Sequence, residues 1–176
     1  VFCEGGNMRV TNVVLQAEWQ IQLNLKVLSS QLRGARYNPK KFSGLIWKDK
    51  EIGGCCLVFN NGKIICNGAP SEREGYDMLK KYTSQLMFWQ GPISLNNVRL
   101  VTISACHKLS GPVDLRLIYT LLGGSYEPEI FNGAMLKRDG VHYTIFATGN
   151  IVITGLKEIG DNVYATLLEL ELCVKS

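Results

Sequence analysis

The sequence predicts an α+β fold made of two copies of one half-domain, with a long antiparallel sheet and helices on one of its faces. Two pairs of matching stretches carry the duplication, and the hydrophobic periodicity carries the rest. Residues 37–42 read Y-N-P-K-K-F and residues 126–131 read Y-E-P-E-I-F, so Tyr, Pro and Phe recur in the same places, with Phe42 and Phe131 131 − 42 = 89 residues apart. Residues 61–69, N-G-K-I-I-C-N-G-A, have a counterpart in residues 148–156, T-G-N-I-V-I-T-G-L, which begins 148 − 61 = 87 residues later. A repeat of that length is a half-domain and not a solenoid unit. Residues 1–90 and 91–176 are therefore expected as the first and second repeats of one domain.

Taken in order, residues 9–18 alternate well enough for a strand with Val13, Leu15 and Ala17 facing the core and Asn12, Val14 and Gln16 facing away. Leu23, Val27, Leu28 and Leu32 place a helix over 21–32, stopped by Gly34. Pro39 fixes its own φ and lacks an N–H, so a turn is expected there, followed by a strand over 41–48. Residues 55–59 (C-C-L-V-F) form the next strand, Asn60-Asn61-Gly62 the hairpin turn, and 63–67 the returning arm. Ser71 with Glu74 three residues on is a capping-box pattern that opens a helix to about Phe88. After a linker at 89–92 the order replays: a strand over 97–105, a helix over 112–122, a turn at Pro128, a strand from Phe131, arms at 141–146 and 151–154, and a helix over 158–172.

Bulk properties narrow the function. The 176 residues are 46% hydrophobic and 19% charged, as suits a compact unit. The net charge of +4 is uneven: residues 1–88 hold 12 Lys/Arg against 7 Asp/Glu, and 89–176 hold 7 against 8. A basic half beside a near-neutral one fits a polyanionic partner as well as a plain solvated surface. Cys3, Cys55, Cys56, Cys66, Cys106 and Cys173 have no paired spacing for zinc or a disulfide framework, so free thiols are expected, with no metal and no cofactor. Cys106-His107 and His142 lack a second ligand pair. No signal peptide is expected, and the sequence holds no apolar run long enough to span a bilayer. Motifs of enzymes are missing too, with no G-x-S-x-G, phosphate loop or H-E-x-x-H, so a non-enzyme is expected.

Alternation also says what the uncovered face carries. With Ile64 and Cys66 turned to the helices, Lys63, Ile65 and Asn67 turn away, and Val152 and Thr154 match Ile65 and Asn67 in the second copy. Apolar residues, amides and four Phe on a face without helices mark a binding surface.

The linked motifs, Y-N-P-K-K-F then L-V-F-N-N-G-K-I-I-C-N-G-A, and Y-E-P-E-I-F then I-F-A-T-G-N-I-V-I-T-G-L-K, resemble the two halves of the TATA-binding protein family over about residues 9–172. The resemblance implies a pseudo-two-fold saddle, a long curved antiparallel sheet with helices on the convex face and the concave face on the DNA minor groove. It implies a transcription initiation factor that binds and bends promoter DNA and recruits the transcription machinery. Phe42 and Phe59, and Phe131 and Phe146, match the family's wedges. Asn12 and Asn97, with Ile65, Asn67, Val152 and Thr154, match its base contacts, Asn97 being preferred over Asn96 because it leaves Val98 and Leu100 on the core side. Lys48, Lys63, Lys137 and Lys157 match its phosphate contacts, which position without reading sequence. Glu127, Glu129 and Ile130 match the site for transcription factor IIB, and Lys81 and Tyr82 the helix for transcription factor IIA. The implied location is the nucleus, or a cytoplasmic viral replication site for a viral member.

Several positions depart from the family pattern. Arg99 stands where a small residue is expected on the concave face, Thr144 replaces Leu beside a wedge, Asn132 replaces Pro, and Pro70 replaces a basic residue. Two other readings therefore stay open: an interaction module that binds transcription factors with weak or no DNA binding, and an appendage of a nucleic-acid enzyme. Taken singly, each Phe is more often a core residue than a wedge, and each Lys is ordinary surface. The repetition is what sets them apart.

Overall fold

The computed structural model describes residues 8–176. In chain order the elements are β1 (Arg9–Trp19), α1 (Leu25–Gln31), β2 (Ala35–Arg36), β3 (Leu45–Trp47), β4 (Cys55–Val58), β5 (Lys63–Ala69), α2 (Glu72–Gln90), β6 (Leu95–Lys108), α3 (Leu115–Leu122), β7 (Gly133–Arg138), β8 (Val141–Phe146), β9 (Asn150–Leu156) and α4 (Asp161–Glu171). The strands follow the sheet order β2-β3-β4-β5-β1-β6-β9-β8-β7, so the expected α+β class with a long antiparallel sheet is the one found. Contacts divide the described residues into two compact units, Asn12–Val101 and the remainder, 8–11 with 102–176.

In the unit Asn12–Val101, burial alternates along each strand. Val13, Leu15, Ala17 and Trp19 of β1, Cys56 and Val58 of β4, and Ile64, Cys66 and Ala69 of β5 are buried, as the period-two pattern requires of a sheet covered on one side. Helix α2 lies over them, starting where Ser71 accepts from the Glu74 N–H while its hydroxyl donates to the Glu74 carboxylate. Its Leu79, Tyr82 and Leu86 close the core, and the buried Trp19 indole donates to Thr83 Oγ1 at 2.9 Å.

The other unit repeats the plan with Ile103 and Ala105 of β6, Tyr143 and Ile145 of β8, and Ile151, Ile153 and Leu156 of β9 buried beneath α4, whose Val163, Leu167 and Leu170 face inward. Arg138 of β7 bridges to Glu169 of α4 at 2.8 Å.

Boundaries move from expectation where local chemistry intervenes. Helix α1 begins only at Leu25, because Asn24 accepts from the Val27 N–H and fixes the start there. Helix α3 likewise begins at Leu115, where Asp114 accepts from the N–H groups of Arg116 and Leu117. Trp89 belongs to α2 and not to a linker. Strand β3 spans Leu45–Trp47 and β7 starts at Gly133, so Phe42 and Phe131 sit in the preceding turns. Asp139 and Gly140, both with positive φ, make a two-residue turn between β7 and β8, where the first unit has a longer connection between β3 and β4.

A candidate nucleic-acid interface on the open face

Each unit holds one pair of phenylalanines in the same geometry. The rings of Phe42 and Phe59 meet edge to face at 5.8 Å and 66°, and those of Phe131 and Phe146 at 5.9 Å and 65°. The turns ahead of them match as well. Asn38 O accepts from the N–H groups of Lys41 and Phe42, and Glu127 O accepts from those of Ile130 and Phe131. Under each pair lies a glycine: a Cβ on Gly44 would stand 2.8 Å from the Phe42 ring, and one on Gly133 would stand 2.8 Å from the Phe131 ring. Phe42 and Phe131 remain 36% and 37% exposed, and Phe59 and Phe146 are half-buried behind them. Two large rings supported from below and open outward have the shape needed to enter a gap between stacked bases.

Strand register fixes which residues of the two units correspond. On β1, Val13 pairs with Ala69 and Leu15 with Cys66; on β6, Ile103 pairs with Leu156 and Ala105 with Ile153. The offset is thus 103 − 13 = 90 residues on β1 and β6, and 156 − 69 = 87 on β5 and β9. Both ladders slip at the same place, where β5 and β9 carry one extra residue around Gly68 (φ +94°) and Gly155 (φ +81°). These are glycine-dependent bulges.

Asn12, on the side of β1 opposite the buried Val13 and Leu15, accepts from the Gly68 N–H with its Oδ1 at 2.6 Å. Residue 12 + 90 = 102 is its partner position, and Thr102 there donates its hydroxyl to Leu156 O at 3.2 Å. This corrects the expectation for Asn97. That residue has φ +52° and lies five positions earlier, with its Nδ2 donating to Glu18 Oε2 at 2.9 Å. Val98 and Leu100 are half-exposed, and the core positions of β6 are Ile103 and Ala105. Arg99 shares their parity, so it does not belong to the open face as expected; its counterpart in the other repeat is Arg9, at 99 − 90. Thr102 and Ser104 were the residues that sequence reading missed, because the change of offset from 87 to 90 shows only in the strand register.

Ile65 and Asn67 are half-exposed on β5, opposite Leu57 and Cys55. Val152 and Thr154 are exposed on β9, opposite Thr144 and His142. Lys48 and Lys137 are exposed at the ends of β3 and β7, Lys157 is exposed just after β9, and Lys63 is half-buried at the start of β5 opposite Glu18. Glu127, Glu129 and Ile130 form an exposed turn, with Ile130 81% accessible. Lys81 is exposed on α2. Tyr82 is not: it is fully buried, donating its hydroxyl to Gly53 O at 2.8 Å and accepting from the Asp49 N–H. The expectation that Tyr82 meets a partner is therefore corrected, because a helix position three residues on from Leu79 points into the core.

In the unit Asn12–Val101 the buried thiols of Cys56 and Cys66 are unreactive by location. Burial pushes the Cys56 thiol well above its ordinary value and the Cys66 thiol up to about 12, so both stay protonated. Among the described residues no group of three His, Cys, Asp or Glu could hold a metal ion. Cys3 lies outside the described residues.

The solved structure of Methanococcus jannaschii TBP is similar to this one, with a TM-score of 0.81 and 27% sequence identity, over 95% of this chain and 97% of that one. By sequence the chain is 31% identical over 166 residues to the TATA-box-binding protein of Dictyostelium discoideum, covering 89% of this chain and 81% of the relative. It is also 31% identical over 160 residues to TATA box-binding protein-like 2 of Rattus norvegicus, covering 89% of this chain but 46% of the relative. This chain thus spans about half the length of that rat protein. A family model described as transcription factor TFIID (or TATA-binding protein, TBP) matches residues 7–87 and 97–166. The chain belongs to the TATA-binding protein family.

Proposed function

We propose that this chain is a DNA-binding transcription initiation factor that seats the open face of its sheet in the minor groove of A·T-rich promoter DNA and bends it. The observation that carries the reading is the twin phenylalanine pair, repeated to within 0.1 Å and 1° in the two units. Apolar wedges that unstack base steps are a known device of minor-groove proteins, and the TATA-binding protein is itself the standard example of that principle. In this reading Phe42, Phe59, Phe131 and Phe146 are the wedges. Asn12, Ile65, Asn67, Val152 and Thr154 face base edges, joined by Thr102 in place of Asn97. Lys48, Lys63, Lys137 and Lys157 meet phosphates. In the same reading the exposed turn of Glu127, Glu129 and Ile130 takes a factor IIB-like protein and Lys81 an IIA-like one, and the chain works with the RNA polymerase machinery in the nucleus. No chemistry of its own is assigned to it.

Gel shift and circular-permutation bending on TATA and other A·T-rich duplexes, at stated low salt, test this. Retarded, bent complexes are expected. Binding of an initiation factor from nuclease-treated extract with no retention of any duplex would overturn the DNA reading and favour the interaction module.

A further inference from the structure

We infer that the two repeats differ in the base pair each accepts at one matched position: Asn12 demands A·T or T·A, whereas Thr102 with Ser104 accommodates G·C. The inference rests on the DNA reading above and deepens it. In the first repeat the bulge at Gly68 frees a backbone N–H, and Asn12 takes it at 2.6 Å. An N–H can only donate, so the atom facing it is Oδ1, and Nδ2 is left as the outward group. That group is a donor, flanked on the same side of β1 by Val14. A·T and T·A pairs show only acceptors in the minor groove, whereas a G·C pair adds the guanine N2 amine, itself a donor. A guanine amine against Asn12 Nδ2 sets donor against donor.

In the second repeat the same bulge offers a carbonyl. Thr102 gives its one hydroxyl hydrogen to Leu156 O, so what remains on its oxygen is lone pairs. Ser104 takes the place of Val14, at 104 − 90 = 14, and adds a half-exposed hydroxyl that accepts as readily as it donates. A guanine amine here finds acceptors. The polarity of one position has been reversed while the backbone around it has kept its register.

The test uses the full chain and a short A·T-only duplex between G·C flanks. Each A·T pair is replaced in turn by G·C and by inosine·C, which lacks the minor-groove amine, and affinity is read by fluorescence anisotropy at fixed salt. In the unaltered protein, G·C is expected to cost about tenfold relative to inosine·C at a position in one half of the site, and less than about twofold at the matching position in the other half. Thr102→Val should raise the G·C penalty relative to inosine·C at the tolerant position to about tenfold, read as a ratio within the variant whatever its overall affinity. Equal G·C penalties in both halves overturn the inference without needing any variant, as does a Thr102→Val protein whose ratio of G·C to inosine·C affinity is unchanged. Binding to A·T duplexes with symmetric penalties leaves the DNA reading standing; binding to no duplex overturns both.

Discussion

The two repeats solve the same packing problem with the polar group in different layers. In the first, the hydroxyl under the long helix belongs to the helix: Tyr82 of α2 packs edge to face on Trp47 at 4.7 Å and reaches the connection between β3 and β4, bonding Gly53 O and the Asp49 N–H. In the second, the buried face of α4 ends in Leu170, and the hydroxyl sits on the strand as Tyr143 of β8, close to Thr166 but without a hydrogen bond of ordinary geometry. The connections explain the exchange. The β3–β4 connection buries backbone groups that need partners, whereas the Asp139-Gly140 turn between β7 and β8 satisfies its own ladder. A shortened hairpin removes the need for the anchoring Tyr, and the helix position reverts to leucine.

The proposed wedges offer the largest way to set the two repeats apart. Replacing Phe42 and Phe59 together by Ala should weaken DNA affinity by about 100-fold, near 3 kcal/mol, and abolish the kink at one end only. Replacing Phe131 and Phe146 should abolish the other kink, which circular permutation and footprinting distinguish. Loss of both kinks from one double variant would mean that the repeats do not wedge separately.

The tyrosines come next. Tyr82→Phe should destabilise the protein by about 1–3 kcal/mol in urea unfolding, because a buried and a part-buried backbone group lose their partner. Tyr143→Phe should stay within about 0.5 kcal/mol. Equal losses would contradict the account of the connections. Smaller still, Lys63→Ala should lower the salt slope of DNA binding by about one, whereas its counterpart Asn150→Ala should leave it unchanged.

The weakest asymmetry is in pH. Burial lowers the pKa of His107, and the nearby Glu171 carboxylate offsets part of that. The unfolded chain then binds this proton more readily than the folded one, so the contribution is present above about 6.5 and is lost as pH falls through 6.5 toward the lowered folded value. Thermal melts at about pH 7 and about pH 5 should show an acid loss that His107→Gln reduces, although residue 17, the matching position, is the uncharged Ala17.

How much of this was legible varied with the residue. The repeat, the core faces of β1 and β5 and the capping box at Ser71 could be read directly, because periodicity and local chemistry leave marks in neighbouring residues. The partner of Asn12 could not. Thr102 bears no likeness to Asn, the offset changes from 87 to 90 between elements, and Asn97 lay nearby as a decoy; only strand register, a long-range property, picks out the right position. Tyr82 was missed for a related reason: the family resemblance assigned it to a partner, and the backbone groups that hold it are contributed by a connection 29 residues earlier. Phe42 and Phe131 were singled out by their repeated placement but were expected on strands, because the glycines beneath them leave no sign of a ring pair in a linear pattern.

Those glycines have a thermodynamic consequence. Because Gly44 and Gly133 let each ring lean on its partner, the torsional freedom of four aromatic side chains is already restricted in the unbound protein. Little of it is left to surrender on meeting a duplex. On the proposed wedging mode the entropic cost of the encounter falls mainly on the nucleic acid, and the affinity for different sequences should track how easily each one unstacks.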